Sequence, residues 1–260
     1  MILDKLTVAT AKRLEREKAQ QSLEEVKRAA ATFQGAVKPS FIATLDDHFG
    51  IIAEVKKASP SKGLIAESFP YQEIAADYTA AGVDAISVLT EPDYFQGHLN
   101  YLATIAAESS KPVLRKDFVI DQYMLYQAKA AGASIVLLIV AILDDHQLEA
   151  YYRLARQLGL EVLIECHDEE EIKRALALQP RLIGINNRNL KDFTVDITTS
   201  ERLRKLIPSN IKVLAESGIT QAGQLAELRA AGINGVLIGE TFMRAADRQA
   251  IIHQYRAVVQ

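Results

Sequence analysis

The chain of 260 residues carries 30 Lys and Arg against 33 Asp and Glu, a net charge of −3, with 49% hydrophobic and 24% charged residues. That balance gives no reason to expect a nucleic acid or an anionic membrane as partner, and no apolar stretch approaches the roughly 20 residues that span a bilayer. One cysteine excludes an internal disulfide framework, and "MILDKLTVATAKRLEREKAQ" lacks the apolar core and small-residue cleavage site of a secretory signal, so a soluble cytoplasmic protein is expected.

Residues 1–34 are rich in Lys, Arg, Glu, Gln and Ala, and strong helix formers from Thr10 to Ala31 predict one or two helices with a narrow packing stripe. "AVKPSFIATLDDHFG" reads as a connector with a short turn of helix, which makes residues 1–45 a helical extension of a single domain spanning 1–260. Short β-branched apolar runs then recur: "GIIAEV" (50–55), "DAISVL" (84–89), "PVLRK" (112–116), "SIVLLIV" (134–140), "EVLIEC" (161–166), "RLIGIN" (181–186), "KVLAES" (212–217) and "GVLIGE" (235–240). They are near-continuously apolar, the pattern of parallel strands covered on both faces.

Helical patterns lie between them. In 144–158 the side chains Leu148, Tyr151, Tyr152, Ala155 and Leu158 share one face. "HDEEEIKRALAL" places Glu171 three residues after Asp168, which predicts an Asp variant of the capping box. "AAGVDAISVL", "AAGASIVLLI" and "AAGINGVLIG" each close a helix before a strand, with Gly82, Gly132 and Gly232 set to take the left-handed conformation. Eight strand–helix units of this size predict an α/β fold, a (β/α)8 TIM barrel with extra N-terminal helices. An open doubly wound sheet is the competitor; the count of eight and the missing G-x-G-x-x-G favour the barrel.

Barrel chemistry sits where the strands end. The ends carry Glu54 and Lys56; Arg115, Lys116 and Asp117; Glu165; Asn186, Asn187 and Arg188; Glu216, Ser217 and Gly218; and Gly239 with Glu240. The opposite ends begin with Gly50, Asp84, Pro112, Ser134, Glu161 and Arg181, ordinary turn and surface residues by type. "ESGI" and "IGET" at the last two strand ends offer backbone N–H groups beside glycines, a cradle for phosphate. A lysine enclosed by apolar walls beside a second cation is expected to release its proton near neutral pH, whereas a facing Glu and Lys are also readable as a structural ion pair. His48, His98, His146, His167 and His253 are scattered without metal-ligand spacing, so no metal is expected. Cys166 and His167 are strand neighbours and point to opposite faces, which argues against a thiol nucleophile with His167 as its base.

"AEVKKASPSKG", "LRKDFVIDQYMLYQAKAAGA", "LIECHDEEE", "GINNRNL", "LAESGI" and "LIGETFM" together resemble the indole-3-glycerol-phosphate synthase family, in order from the N-terminal helices to the last helix. The resemblance implies conversion of 1-(2-carboxyphenylamino)-1-deoxyribulose 5-phosphate to indole-3-glycerol phosphate, releasing carbon dioxide and water, with no metal or organic cofactor. It implies a catalytic set of Glu54, Lys56, Lys116, Glu165, Asn186, Glu216 and Ser217. Lys116 would be the general acid on the ribulose carbonyl, Lys56 and Glu165 would serve the dehydration, and Glu54 would hold a lysine. Asn186 and Glu216 would orient the amine and hydroxyls of the substrate. Phe118 would wall the aromatic ring; Ser59, Ser217, Gly218, Gly239 and the backbone at Glu240 would hold the phosphate, and Arg188 the anthranilate carboxylate. The expected partner is this small phosphosugar–anthranilate molecule, with no nucleic acid or membrane, and the expected state is a monomer.

Two residues depart from the family pattern: His98 stands where a small polar residue is usual, and Cys166 replaces an aliphatic one. The sequence stops after one barrel, so no fused phosphoribosylanthranilate isomerase is expected. The rival activities are a Schiff-base aldolase acting through Lys116 and a silent sugar-phosphate binder.

Overall fold

The computed structural model describes residues 2–190 and 192–260. Two helices open the chain, α1 (Ile2–Gln20) and α2 (Leu23–Thr32). The break falls at Ser22, whose hydroxyl accepts from the Glu25 N–H while the Glu25 carboxylate accepts from the Ser22 N–H. That reciprocal box satisfies two helix-end donors at once. Ser40 caps the short α3 (Phe41–Asp47).

The rest alternates strand and helix. β1 (Gly50–Val55) leads into a small hairpin of β2 (Ala58–Ser59) and β3 (Gly63–Leu64), then α4 (Tyr71–Ala80) and β4 (Ala85–Leu89). There follow α5 (Leu99–Glu108), β5 (Val113–Lys116), α6 (Gln122–Ala130), β6 (Ile135–Ile139), α7 (Asp145–Gln157), β7 (Glu161–Cys166), α8 (Glu169–Leu176) and β8 (Leu182–Asn186). The chain ends with α9 (Thr198–Arg204), β9 (Lys212–Glu216), α10 (Gly223–Ala230), β10 (Gly235–Ile238), α11 (Glu240–Met243) and α12 (Arg248–Ala257). All strands but those of the hairpin pair in parallel in the order β1-β10-β9-β8-β7-β6-β5-β4, and β1 pairs again with β4 to close the barrel. The eight strands coincide within a residue or two with the apolar runs, which makes the expected (β/α)8 barrel the observed one.

Strand period two sorts every side chain. Ile51, Ala53 and Val55 of β1 face the helices, whereas Ile52 joins Leu114, Leu137, Leu163, Leu182, Leu214 and Leu237 in the barrel interior. Both layers are fully excluded from water over most of their length, and each such Leu or Ile contributes on the order of 2–3 kcal/mol relative to exposure. Phe41, Ile42 and Leu45 of α3 belong to the interior cluster and stopper the barrel at the strand starts.

Two strand starts are more than ordinary surface residues. The Glu161 carboxylate accepts from the Phe41 N–H at 3.1 Å and the Ile42 N–H at 3.3 Å, which fastens α3 by its positive end. Asp84 accepts from the Ile51 N–H at 2.8 Å and pairs with Arg256 at 2.6 Å, which ties the last helix to the first strand. Gly82, Gly132 and Gly232 have φ of 77°, 86° and 84° where α4, α6 and α10 end, as their Ala-Ala-Gly setting predicts. The capping box at Asp168 is only half formed: Asp168 accepts from the Glu171 N–H, but the Glu171 carboxylate turns to the N–H and ring of His167 instead. His98, the departure in the second loop, caps α5 by accepting from the Asn100 N–H at 3.1 Å.

Candidate active site

The same alternation that buries Ile52 carries Glu54 inward two residues later and Lys56 two beyond that. By this rule Lys116 follows Leu114, Glu165 follows Leu163, Asn186 follows Leu182 and Gly184, Glu216 follows Leu214, and Gly239 follows Leu237. Each stands at or just past the C-terminal end of its strand. They line one cavity of about 550 Å³ at the C-terminal mouth, and Ser59, Phe118, Arg188, Ser217, Gly218 and Glu240 line it too. Every site residue expected from sequence therefore borders a single pocket, of a size that holds small ligands.

Lys116 sits at its centre. Its Nζ lies 2.8 Å from Oε2 of Glu165 and 3.4 Å from Oε2 of Glu216. Lys56 pairs separately with Glu54 on the same strand. Asn186 donates from Nδ2 to Glu165 Oε1 at 3.1 Å, and its Oδ1 accepts from the Arg188 N–H at 3.0 Å, so the amide is oriented from both ends. Oε1 of Glu216 is buried and has no hydrogen-bond partner among the described residues.

The electrostatics differ from the sequence expectation. Burial disfavours the Lys116 ammonium, but Glu165, Glu216 and Glu54 more than offset it and hold the lysine charged well above the ordinary lysine range. Lys56, the other lysine named for this site, is itself paired with Glu54. Glu165 is buried as well, yet Lys116 and His167 keep its carboxyl far below the usual carboxylate range. Glu216 goes the other way: burial, with Glu165 and Glu54 nearby, outweighs Lys116 and raises it to about 7. Two carboxylates on one ammonium thus differ in proton affinity.

The rim opposite is built from loops. Ser217 and Gly218 have φ of 67° and 79°, a left-handed pair that turns the chain sharply after β9. Gly239 precedes α11, and a Cβ there would collide with Oε2 of Glu54 and Nζ of Lys56. The Glu240 carboxylate pairs with Arg244 at 3.1 Å and lies 3.7 Å from Lys62, which also lines the cavity. On the apolar side Phe118 meets Phe95 with ring centroids 6.0 Å apart. Glu91 accepts from the N–H groups of Tyr94 and Phe95, which fixes the loop carrying that ring.

Three strand-end residues read as part of the mouth serve the scaffold. Arg115, on the outward parity of β5, donates to Met124 O, Thr90 Oγ1 and Asp117 Oδ2. Asp117 borders the cavity, but its carboxylate is taken by Arg13 of α1 at 2.9 and 3.0 Å and by Thr90 at 2.6 Å. Asn187 binds Ser217 O and accepts from Ser200. Sequence reasoning missed Ile2, Leu3 and Leu6 of α1, which line the pocket beside Phe118; their apolar cluster at the start of an otherwise charged helix was the available signal. Cys166 is fully buried on the helix-facing side, its thiol pushed up by burial, and packs as expected. No group of three or more His, Cys, Asp or Glu among the described residues is arranged to hold a metal ion, and no described helix is long and apolar enough to cross a membrane.

Barrel and pocket together define a (β/α)8 enzyme with a lysine–glutamate acid–base centre below a glycine-rich rim. The family model for indole-3-glycerol phosphate synthase matches residues 3–255. An indole-3-glycerol phosphate synthase of Leuconostoc mesenteroides subsp. mesenteroides is 52% identical over 259 residues, 98% of this chain and 99% of its own. One from Lacticaseibacillus casei is 52% identical over 257 residues, with 98% and 99% covered. Among solved structures, 3-hexulose-6-phosphate synthase from Salmonella typhimurium aligns with a TM-score of 0.65 at 16% identity over 80% of this chain and 97% of that one, a likeness of fold alone. The chain belongs to the indole-3-glycerol phosphate synthase family, and it is a decarboxylating lyase of tryptophan biosynthesis.

Proposed function

We propose that Lys116 is the general acid of ring closure in the conversion of 1-(2-carboxyphenylamino)-1-deoxyribulose 5-phosphate to indole-3-glycerol phosphate. The ring carbon bearing the carboxylate attacks the ribulose carbonyl, whose oxygen takes the Lys116 proton and becomes a hydroxyl. The cationic ring intermediate then loses carbon dioxide, and loss of that hydroxyl as water with a ring-side proton completes the indole. A positioned acid contributes on the order of 10²–10⁴-fold to such a step.

One observation carries the reading: the only ammonium among the described residues in contact with both Glu165 and Glu216 is held charged before any substrate arrives. An acid must begin protonated, and developing negative charge on the ketone oxygen draws the proton across. Glu165, kept ionised beside it, is the base for dehydration with Lys56, and Glu54 holds Lys56 in place. Asn186 and Glu216 orient the amine and hydroxyls. Ser59, Ser217, Gly218, Gly239 and the Glu240 backbone hold the phosphate, Arg188 the anthranilate carboxylate, and Phe118 with the α1 side chains walls the ring. A phosphate fixed at one end and a ring at the other fold the flexible ribulose into the reactive geometry.

The remaining proposals are a single domain over 1–260, a monomer in the cytoplasm, no nucleic-acid or membrane partner, and chemistry without metal or organic cofactor. The roles are tested by Lys116→Ala, in which turnover falls at least about 10²-fold while substrate still binds. Undiminished turnover in that variant overturns the assignment.

A further inference from the structure

Behind Glu165, outside the cavity lining, stands an imidazole to which the assigned roles give no task. His167 follows β7, with a side chain 13% exposed. Its Nδ1 lies 3.0 Å from Oε2 of Glu171, which also accepts the His167 N–H at 2.8 Å. Its Nε2 lies 3.2 Å from Oε1 of Glu165, the oxygen not taken by Lys116. Nε2 is within hydrogen-bonding distance of that oxygen but off the ideal line.

A neutral imidazole has one N–H and one lone pair. Placed between two carboxylates it would set the lone pair against an anion, and only the doubly protonated ring faces both favourably. The charged groups around it are Glu165 on β7, Glu171 on α8, and Lys116 beyond Glu165. Asp168 is occupied in capping α8.

We propose that His167 is a positioning residue whose imidazolium bridges Glu171 and Glu165 and keeps Glu165 ionised when Lys116 gives its proton to the substrate. Once Lys116 is neutral, Glu165 would be a buried carboxylate without a cation and would take a proton back. The imidazolium supplies the second positive charge and also loosens the hold of Glu165 on the Lys116 proton. Burial lowers the proton affinity of His167, but Glu165 and Glu171 outweigh it and raise the ring to about 10. This inference rests on Glu165 acting as the base.

The first test needs no variant of the site. With ¹⁵N-labelled histidine in the full-length protein, the His167 imidazole stays doubly protonated at about pH 8.5, where an ordinary histidine is neutral. That signal persists in His48→Gln, which removes the other carboxylate-paired imidazole. Complete deprotonation of all five rings by that pH overturns the proposal.

The second test is His167→Gln. Its kcat falls about tenfold at neutral pH with KM within about twofold, and the acid limb of the kcat profile moves to higher pH because Glu165 protonates more readily. A uniform loss of activity with an unmoved limb makes His167 a packing residue and overturns the proposal. The role of Lys116 survives that outcome, since it is tested separately by the turnover of Lys116→Ala.

Discussion

Replacing Gly184 by alanine sets a methyl group in the barrel interior against Glu216, where a Cβ would overlap Oε1 of Glu216 and approach Leu163 Cδ1 to 3.1 Å. Real Cβ atoms essentially never come within 3.0 Å of such a neighbour, so the carboxylate must retreat by about 1 Å. The retreat is cheap for the fold because the atom that moves is the tip of a side chain with no hydrogen bond at that oxygen. Position 184 needs no left-handed backbone, and alanine in a strand gains roughly 0.5–1 kcal/mol over glycine, which offsets the crowding at Leu163.

For catalysis the same motion is costly. It shifts the second anion on Lys116, now 3.4 Å from its Nζ, and with it the proton affinity and aim of that ammonium. A 1 Å misplacement costs on the order of 10²-fold in rate, or about 2.7 kcal/mol of transition-state stabilisation. Steady-state kcat and KM, with a thermal melt on the same sample, separate the two effects. The expected result is a kcat lowered by about two orders of magnitude at a near-wild-type Tm. A folded Gly184→Ala protein with wild-type kcat would refute the claim that the exact seat of Glu216 matters.

The Arg13–Asp117 pair gives a stability prediction. Arg13→Ala strips the buried Asp117 of the Nη2 that donates to both its oxygens, leaving Arg115 and Thr90, and lowers stability by about 1.5–3 kcal/mol at neutral pH, read by denaturant titration. Burial raises the Asp117 carboxyl, but Arg13 and Arg115 outweigh it and set it below its ordinary value. The folded state therefore binds this proton less readily than the unfolded chain, and the contribution is full above the unfolded carboxyl value of about 4 and fades as pH falls through the lower folded one. The gap between wild type and Arg13→Ala narrows in acid; a gap independent of pH contradicts the pairing. Borohydride added with substrate leaves Lys116 unmodified, because an ammonium held charged is no nucleophile; a reduced adduct on Lys116 found by peptide mass analysis would support the aldolase instead.

How much of this was legible in the sequence depends on the range of the interaction. Strands covered on both faces announce themselves as apolar runs, and Gly82, Gly132 and Gly232 mark helix ends through local backbone geometry. The site was legible because the inward parity of each strand continues past its apolar part, as in Ile52, Glu54 and Lys56. Parity also separates the scaffold residues: Arg115 and Asn187 sit one position away from inward ones and serve contacts outside the mouth. What stayed hidden depends on distant partners. Arg13 meets Asp117 across 104 positions, and Ile2, Leu3 and Leu6 reach the pocket only because α1 docks there. The charge state of Lys116 was misjudged for the same reason, since three strands bring it carboxylates that outweigh its burial, while Lys56 is paired with Glu54. Glu171 favours His167 over its capping partner, a choice between two nearby donors that spacing does not resolve.

The central claim is that this pocket closes an indole ring by lysine–glutamate proton transfer. The chain contains no tryptophan, so indole fluorescence rises over a low protein background. Purified protein, treated with a chelator and mixed with 1-(2-carboxyphenylamino)-1-deoxyribulose 5-phosphate, is expected to generate that fluorescence with one carbon dioxide released per indole formed, at a rate the chelator does not change. Binding of the compound without fluorescence or carbon dioxide would contradict the account.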